Sequence, residues 1–297
     1  MNASSQSKHK FHYHASAHAL SGQFWRPFQR VIEVQAPSVL PSIGGIGNSR
    51  VDNFRLDDFV SFKAGYTHVL GSEKEGIDKE GHEARVHTTQ VTATIEGLNI
   101  LDVVTADRVV ARLTSSHGVG DNEPRIRLIG SKFENLRIAG SEVDVKLDHE
   151  LLQPAVNPLE TFDAVKNHFK NGGELRKMAQ DTLRATLYPE TQIPKEWELP
   201  NELELHRALV CSIVKEVDFK YPGADTNTQK DRYPCPGVER HGRHMFHVLD
   251  FGRVYLAEVR FEYGRKRLTM LRIELGSPNG GAIIVVEADS NGRPIPP

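Results

Sequence analysis

The densest group of side chains able to do chemistry is a histidine cluster at residues 240–247, which contains His241, His244 and His247. Histidine is the commonest metal ligand, and this group could bind a divalent metal such as zinc with Asp250 as a further ligand. The spacing weighs against it, because a strand turns His244 away from the other two and a helix turns His247 away. Two interpretations therefore stand: a metal site, or histidines of an exposed or hydrogen-bonded loop.

A second group of histidines lies near the N-terminus, at His9, His12, His14 and His18. On a strand the last three share one face and alternate with aromatic and alanine residues, which is typical of a solvated polar face over an apolar one. A metal site would gain support only if the two histidine groups met in space.

Other catalytic signatures are absent from the sequence. It contains no GxSxG, P-loop or GxGxxG pattern, and the glycines at residues 44–47 indicate a turn. Glu258 and Glu274 alternate with basic residues, which is typical of a solvated sheet face, although a carboxylate pair in a groove could hydrolyse glycosides. The chemistry of the side chains therefore favours a protein without catalytic activity.

The chain is organised around its C-terminal run, residues 254–288, where apolar segments alternate and are separated by glycine-containing turns. This pattern predicts antiparallel strands with one buried face. The predicted inward residues are Tyr255, Ala257, Val259, Phe261, Leu271, Ile273 and Leu275. Since all carry odd numbers, we expect a connecting loop of odd length, with Glu258 opposite or diagonal to Arg272 on the outer face.

The rest of the chain adds further strands and one different section. Residues 86–113 and 130–147 are rich in threonine and valine, whereas apolar residues recur at helical spacing over about 155–187. We expect residues 1–10 to be a disordered tail, and 11–297 to form a single β-rich domain. The predicted fold is mainly β: an antiparallel, sandwich-like or curved meander with a small α-helical insertion at about 155–187.

Composition excludes several classes of partner. The chain has 37 basic and 39 acidic residues, a net charge of -2, which gives no field for binding nucleic acid. No apolar run is long enough to span a membrane, and no signal peptide is visible, so we expect a cytoplasmic location. We expect Cys211 and Cys235 to be reduced, and Cys211 to lie in the core.

Two blocks of the chain resemble the choice-of-anchor P family, a group of β-rich bacterial proteins, and related hypothetical proteins. The blocks comprise residues 40–45, 91–94, 105–107, 129–130, 138–140 and 250–292. Members are typically exported and sometimes carry a surface anchor, so the resemblance implies export, in conflict with the absence of a signal. No catalytic residues carry over from that group.

Three functional hypotheses follow. The first is a non-enzymatic structural or binding module that contacts a protein partner or forms a homo-oligomer through its sheets. The second is a metal-dependent hydrolase or lyase that uses His241, His244 and His247. The third is a carbohydrate-binding module, which rests on the β architecture and on the aromatic residues Trp25 and Trp197.

Overall fold

The structure is a computed structural model, and it describes residues 11–77, 83–118, 124–151, 209–221, 232–262, 265–290 and 292–294. Every regular element in these ranges is a β-strand. The strands, numbered along the chain, are β1 (Phe11–His12), β2 (Ala15–Arg26), β3 (Arg30–Gln35), β4 (Ser38–Val39), β5 (Gly45–Leu56), β6 (Val60–Ile77), β7 (Glu83–Ile100), β8 (Val104–Gly118), β9 (Arg125–Arg127), β10 (Lys132–Glu134), β11 (Arg137–Ile138), β12 (Ser141–Leu147), β13 (Leu209–Ser212), β14 (Val214–Lys220), β15 (Val238–His241), β16 (Met245–Val248), β17 (Gly252–Glu262), β18 (Arg265–Leu275), β19 (Gly280–Ser290) and β20 (Arg293–Pro294).

The strands form two large antiparallel sheets and one small one. Sheet I has the order β15-β16-β17-β18-β19-β2-β3, with β13 beside β17 and β4 beside β2. Sheet II has the order β14-β12-β11-β8-β7-β6-β5, with β9 and β10 beside β8. β1 and β20 pair with each other. The prediction of an antiparallel β protein is therefore confirmed, whereas the predicted helical insertion at 155–187 and the predicted tail at 1–10 lie outside the described residues.

The core lies where sheet I faces sheet II, with β2 and β19 against β6, β7 and β8. Strand alternation explains which side chains fill it. Val69, Val91 and Leu113, for example, lie opposite one another on β6, β7 and β8, and all three are fully buried. Cys211 lies in the same core and is a free thiol, as predicted.

The pairing of β17 with β18 differs from the prediction. Glu262 pairs with Arg265, so two residues connect the strands and the prediction of an odd loop is wrong. The cause is a reversal of the pleat at Ala257, whose φ of 48° is left-handed. Leu256 before the reversal and Val259 after it both enter the core, although their numbers differ in parity.

The same reversal crosses neighbouring strands and shapes the outer face of sheet I. Val286 on β19 also has a positive φ, of 56°. On β18, between these two strands, Met270 lies level with Ala257 and Val286. The consequence is that outward residues on the two sides of this line, such as Tyr255 and Glu258, come close together. The outer face of sheet I can therefore hold a dense group of polar side chains.

No helix in the described ranges is long and apolar enough to cross a membrane.

Candidate functional site

A row of polar side chains crosses the outer face of sheet I, opposite the core. Strand register places Ser212, Glu258, Thr269, Glu287 and His18 side by side on β13, β17, β18, β19 and β2. We call this row and its neighbours the charged face. Its members are Tyr255, Glu258, Thr269, Arg272, Glu274, Glu287, His18 and His244.

The centre of the charged face is the ion pair of Glu258 and Arg272. The Arg272 guanidinium donates from Nε to Glu258 Oε2 at 2.6 Å and from Nη2 to Oε1 at 2.9 Å. The guanidinium lies 3.6 Å from the centroid of the Tyr255 ring, and the Tyr255 hydroxyl donates to Glu274 at 2.9 Å. Arg272 also donates to Glu274, so one cation holds two carboxylates. The predicted position, with Glu258 opposite or diagonal to Arg272, is wrong, because Glu258 lies opposite Thr269 and Arg272 lies opposite Tyr255. The two charges nevertheless pair on the outer face, because the Arg272 side chain reaches Glu258.

The charged face is buried at its centre, which corrects the expectation of a solvated face around Glu258. The Glu258 residue is only 5% exposed, and Tyr255 is fully buried. A buried carboxylate is tolerated when it is paired and hydrogen-bonded, and the two-point contact with Arg272 satisfies both oxygens. Sequence alternation assigned Glu258 and Glu274 to this face, but its assignment of Tyr255 to the inward set is wrong, because the Tyr255 ring lies against Arg272. Alternation also could not show how little of the face meets solvent.

Burial also sets the protonation of two groups here. For Arg272, burial opposes the charged form, but the hydrogen bond and the charge of Glu258 outweigh it and raise the pKa. For His244, burial lowers the pKa to about 4, although Glu258 raises it in part. His244 lies in the turn before β16, with Nε2 3.9 Å from Glu258 Oε1. The imidazole is therefore neutral near pH 7, beside a saturated ion pair.

The other half of the charged face is likewise paired. Thr269 Oγ1 donates to Glu287 at 3.1 Å, and His18 Nδ1 lies 3.9 Å from Glu287. Burial lowers the pKa of His18, while Glu287 raises it in part. Beyond Glu287, the buried Asp289 accepts hydrogen bonds from both Arg265 and Arg267. Arg267 Nε also lies 3.5 Å from Glu287, so each of these acids has an arginine beside it.

The structure separates His244 from the other two histidines of the predicted metal site. His241 ends β15 with Nε2 3.6 Å from Glu239, and the exposed His247 lies opposite Glu239 on β16. His244 instead lies beside Glu258. Within the described ranges, no three histidine, cysteine, aspartate or glutamate side chains form a group that could hold a metal ion.

Of the N-terminal histidines, His9 lies outside the described residues, and His18 does not join this group. His18 lies at Glu287 on β19, whereas His244 lies at Glu258 on β17. Because β18 intervenes, the two carboxylate-bearing strands are about 10 Å apart. Metal binding by His241, His244 and His247 stays a prediction.

Groups that could act as nucleophiles on this side of the molecule have structural contacts. Ser212 Oγ donates to the Leu256 carbonyl at 2.8 Å and accepts from the Val214 amide at 3.1 Å. Burial raises the pKa of the Cys211 thiol, and it also raises the pKa of Cys235. A reactive cysteine needs the opposite shift, so neither thiol is activated.

A cavity of about 620 Å³ lies between β14 and the turn at residues 240–243. Its charged lining contains both signs in equal number: Asp148, Glu216, Asp218, Lys215, Arg240 and Arg243. Such a balanced lining selects neither an anion nor a cation by its field. The cavity therefore does not define a ligand class.

A different kind of surface lies where the end strands of the two sheets, β3 and β5, approach each other without pairing. Arg30 at the start of β3 binds Asp57 after β5 at 2.6 Å across this gap. Large apolar side chains are exposed along it. We call this surface the apolar seam, and its residues are Phe28, Val31, Val34, Val39, Ile43 and Ile46.

The apolar seam was missed in the sequence because its residues are scattered. Val39 and Ile43 flank a proline and glycines, a pattern that indicates a connection and not a contact surface. What makes them a patch is the end position of β3 and β5, which depends on sheet order. The only usable signal was the set of apolar residues beside turn residues between 28 and 46.

A histidine pair on sheet II was also missed. His87 on β7 lies between Glu73 on β6 and His117 on β8 in one row, and Tyr13 contacts His87 Nδ1 through its hydroxyl at 3.0 Å. The ring of Phe11 stacks on His87 with centroids 4.3 Å apart. Burial lowers the pKa of His87, and His117 lowers it further. This group fastens β1 to sheet II.

By its fold, this is an all-β protein of two facing antiparallel sheets. One sheet has an outer face of paired charges, and the end strands of the two sheets form an exposed apolar seam. The chain belongs to the family described as Domain of unknown function (DUF8256), which matches residues 11–262. The matched span includes the whole apolar seam and Glu258, whereas Arg272 and Glu287 follow it. Comparison with curated proteins and with solved structures gives no match.

Proposed function

We propose that this protein is a non-enzymatic binding module that self-associates through the apolar seam. The observation that carries the proposal concerns exposure: of the eleven large apolar side chains exposed among the described residues, six belong to the seam. Single exposed apolar residues are ordinary, but a group of them on one surface marks a contact site. The seam is therefore the best candidate for the contact surface.

The position of the seam adds a second line of support. β3 and β5 end their sheets, so each has one side on which no described strand pairs. Free strand edges recruit further strands unless charge, proline or a covering element blocks them. Apolar side chains next to a free edge favour association, because they add buried area to the backbone hydrogen bonds.

The charged face argues against catalysis as the main role. Arg272 donates hydrogen bonds to both carboxylate oxygens of Glu258. His244 is buried and neutral, and Ser212 Oγ hydrogen-bonds to backbone groups. General acid–base catalysis needs a group that can reach a substrate and exchange a proton with it. The described groups instead form ion pairs and hydrogen bonds with one another.

Sedimentation velocity over a range of concentrations tests the proposal. We expect the unmodified protein to form a dimer or larger oligomer, and the Ile43→Lys/Ile46→Lys variant to sediment as a monomer because two charges cannot be buried in the contact. Leu249→Lys is the matched control, since Leu249 is similarly exposed but lies outside the seam. A monomeric unmodified protein at all concentrations, or a monomeric control, would overturn the proposal.

Native mass spectrometry without chelator tests the competing hydrolase hypothesis in the same sample, because it reads bound metal and subunit number together. A stoichiometric metal that disappears in a His241→Ala/His244→Ala/His247→Ala variant would favour the enzyme. A metal-free oligomer would favour the binding module.

A further inference from the structure

One strand of the seam, β5, offers a free edge long enough to pair with another chain. β5 pairs with β6 from Gly45 opposite Gly71 to Leu56 opposite Val60, in a single register. On its other side no described strand pairs with it. Asn53 has a left-handed φ of 54° and reverses the pleat, as Ala257 does, so that Val51 before it and Phe54 after it both pack against the core. The stretch from Gly45 to Asp52 therefore forms the regular part of this edge.

The charges along β5 are self-complementary. Arg50 and Asp52 project from the same face of the strand, and their side chains are 60% and 50% exposed. Arg50 Nε donates to both carboxylate oxygens of Asp52 at 3.0 Å. In an antiparallel pair of two identical strands centred on Val51, Arg50 of one copy lies directly opposite Asp52 of the other, and the reverse. The four charges then alternate in sign around a square.

The ends of the seam are complementary in the same arrangement. Val39, Ile43 and Ile46 form an aliphatic end near the start of β5, whereas an aromatic end forms at its finish. There the Phe59 amide bonds the Leu56 carbonyl at 3.1 Å, and the rings of Phe28 and Phe59 lie 5.9 Å apart. Centring on Val51 brings the start of β5 in one copy alongside the finish of β5 in the other. Leu56 itself is in the core, so the exposed Phe28 is the side chain available there to Ile46 of the other copy.

We infer that two copies of this chain pair through β5, antiparallel, about a two-fold axis at Val51, so that sheet II continues from one copy into the other. The inference rests on the proposed function, because it specifies the partner and the geometry of the seam contact. A closed two-fold contact of this kind also explains why the edge would not recruit further copies, since each β5 edge is used once.

Disulfide trapping of Val51→Cys tests the axis. Cross-strand Cβ atoms at directly opposed positions are about 5 Å apart, so two cysteines on the axis can join. Ser49→Cys is the control on the same face of β5. It lies opposite position 53, so the two thiols introduced by Ser49→Cys are separated by about four residues along the strand, roughly 13 Å. The native thiols of Cys211 and Cys235 are buried.

Under mild oxidation we expect most of the Val51→Cys protein to migrate as a dimer on non-reducing gels, and the Ser49→Cys protein as a monomer. Sedimentation of the reduced proteins separates two kinds of failure. A reduced protein that is a dimer but does not cross-link at position 51, or cross-links equally at 49, overturns the two-fold pairing and leaves self-association intact. A reduced protein that is monomeric overturns both.

A charge exchange tests the pairing without new bonds. Arg50→Asp alone and Asp52→Arg alone each place like charges opposite one another, and we expect the dimer dissociation constant to rise about tenfold. The Arg50→Asp/Asp52→Arg double variant restores both cross-chain pairs and is expected to return to within about twofold of the original constant. A double variant as weak as the single ones would contradict the inference.

Discussion

The charged face and the apolar seam reverse the usual relation between residue type and exposure. On the charged face, Glu258 is 5% exposed, while at the seam Ile43 is 89% exposed. Both surfaces lie outside the core between the sheets. The difference shows that exposure depends on whether a side chain finds suitable partners within its own chain, and not simply on whether it is polar.

Satisfaction separates the two surfaces in physical terms. Burial of a carboxylate is costly unless a partner supplies charge and hydrogen bonds, and Arg272 supplies both to Glu258. An apolar side chain in water has no equivalent remedy except contact with another apolar surface. The charged face is therefore complete within one chain, whereas the seam leaves apolar side chains in water, which the partner that we propose would cover.

The largest expected effect comes from breaking the pair at the centre of the charged face. We expect Glu258→Ala to lower the free energy of unfolding by about 3 to 5 kcal/mol, because Arg272 loses its two-point partner while it remains largely buried. Urea denaturation measures the change. The matched control is Glu216→Ala, which removes a solvent-exposed pair with Lys146 and should leave the unfolding midpoint unchanged. Equal shifts in the two variants would mean that the charged face is no more enclosed than an ordinary surface.

A smaller effect is expected from acid, through His244. Its pKa falls from an ordinary value of 6.5 to about 4 in the folded protein, so the unfolded chain binds the proton more tightly. The corresponding stability is fully present above pH 6.5 and is lost as the pH falls towards about 4, by about 3 kcal/mol.

Replacing His244 isolates this contribution from those of other titrating groups. We expect the pH dependence of unfolding between pH 7 and 4 to flatten in His244→Phe, compared with the unmodified protein. His247→Ala is the control, because His247 is exposed, and its profile should follow the original. If His244→Phe kept the full slope, the enclosure of His244 beside Glu258 would be refuted.

The antiparallel β architecture could be predicted from the sequence because alternation reports directly which side of a strand is buried. The register of β17 with β18 could not, since it depends on the pleat reversal at Ala257. Alanine can occupy either face of a strand, so the residue type at position 257 does not predict a left-handed backbone. The register predicted for Glu258 and Arg272 was wrong as well, but both residues were assigned to the outer face, and there the long arginine side chain reaches the carboxylate.

The sites were less predictable than the fold. The histidines at 241, 244 and 247 are close in sequence, but the turn between β15 and β16 sends His244 to Glu258 and leaves His241 at Glu239. The apolar seam depends on which strands end each sheet, and strand order is a long-range property that local patterns do not encode. Sequence proximity thus suggested a site that the structure divides, while the seam required the topology.

The smallest expected effect is on the stability of the monomer when the seam is made polar, and it completes the comparison. Ile43→Thr should change the free energy of unfolding by less than about 0.5 kcal/mol, because the side chain contacts little within its own chain. Val285→Thr, in the core on β19, provides the contrast: it buries a hydroxyl and should cost on the order of 1 to 3 kcal/mol. Both must be measured by urea denaturation below the dissociation constant of the dimer, since association itself stabilises the folded state. Above that concentration Ile43→Thr should become destabilising while the shift in Val285→Thr stays constant. A loss in dilute Ile43→Thr equal to that in Val285→Thr would place Ile43 inside the monomer's own packing and remove it from the seam.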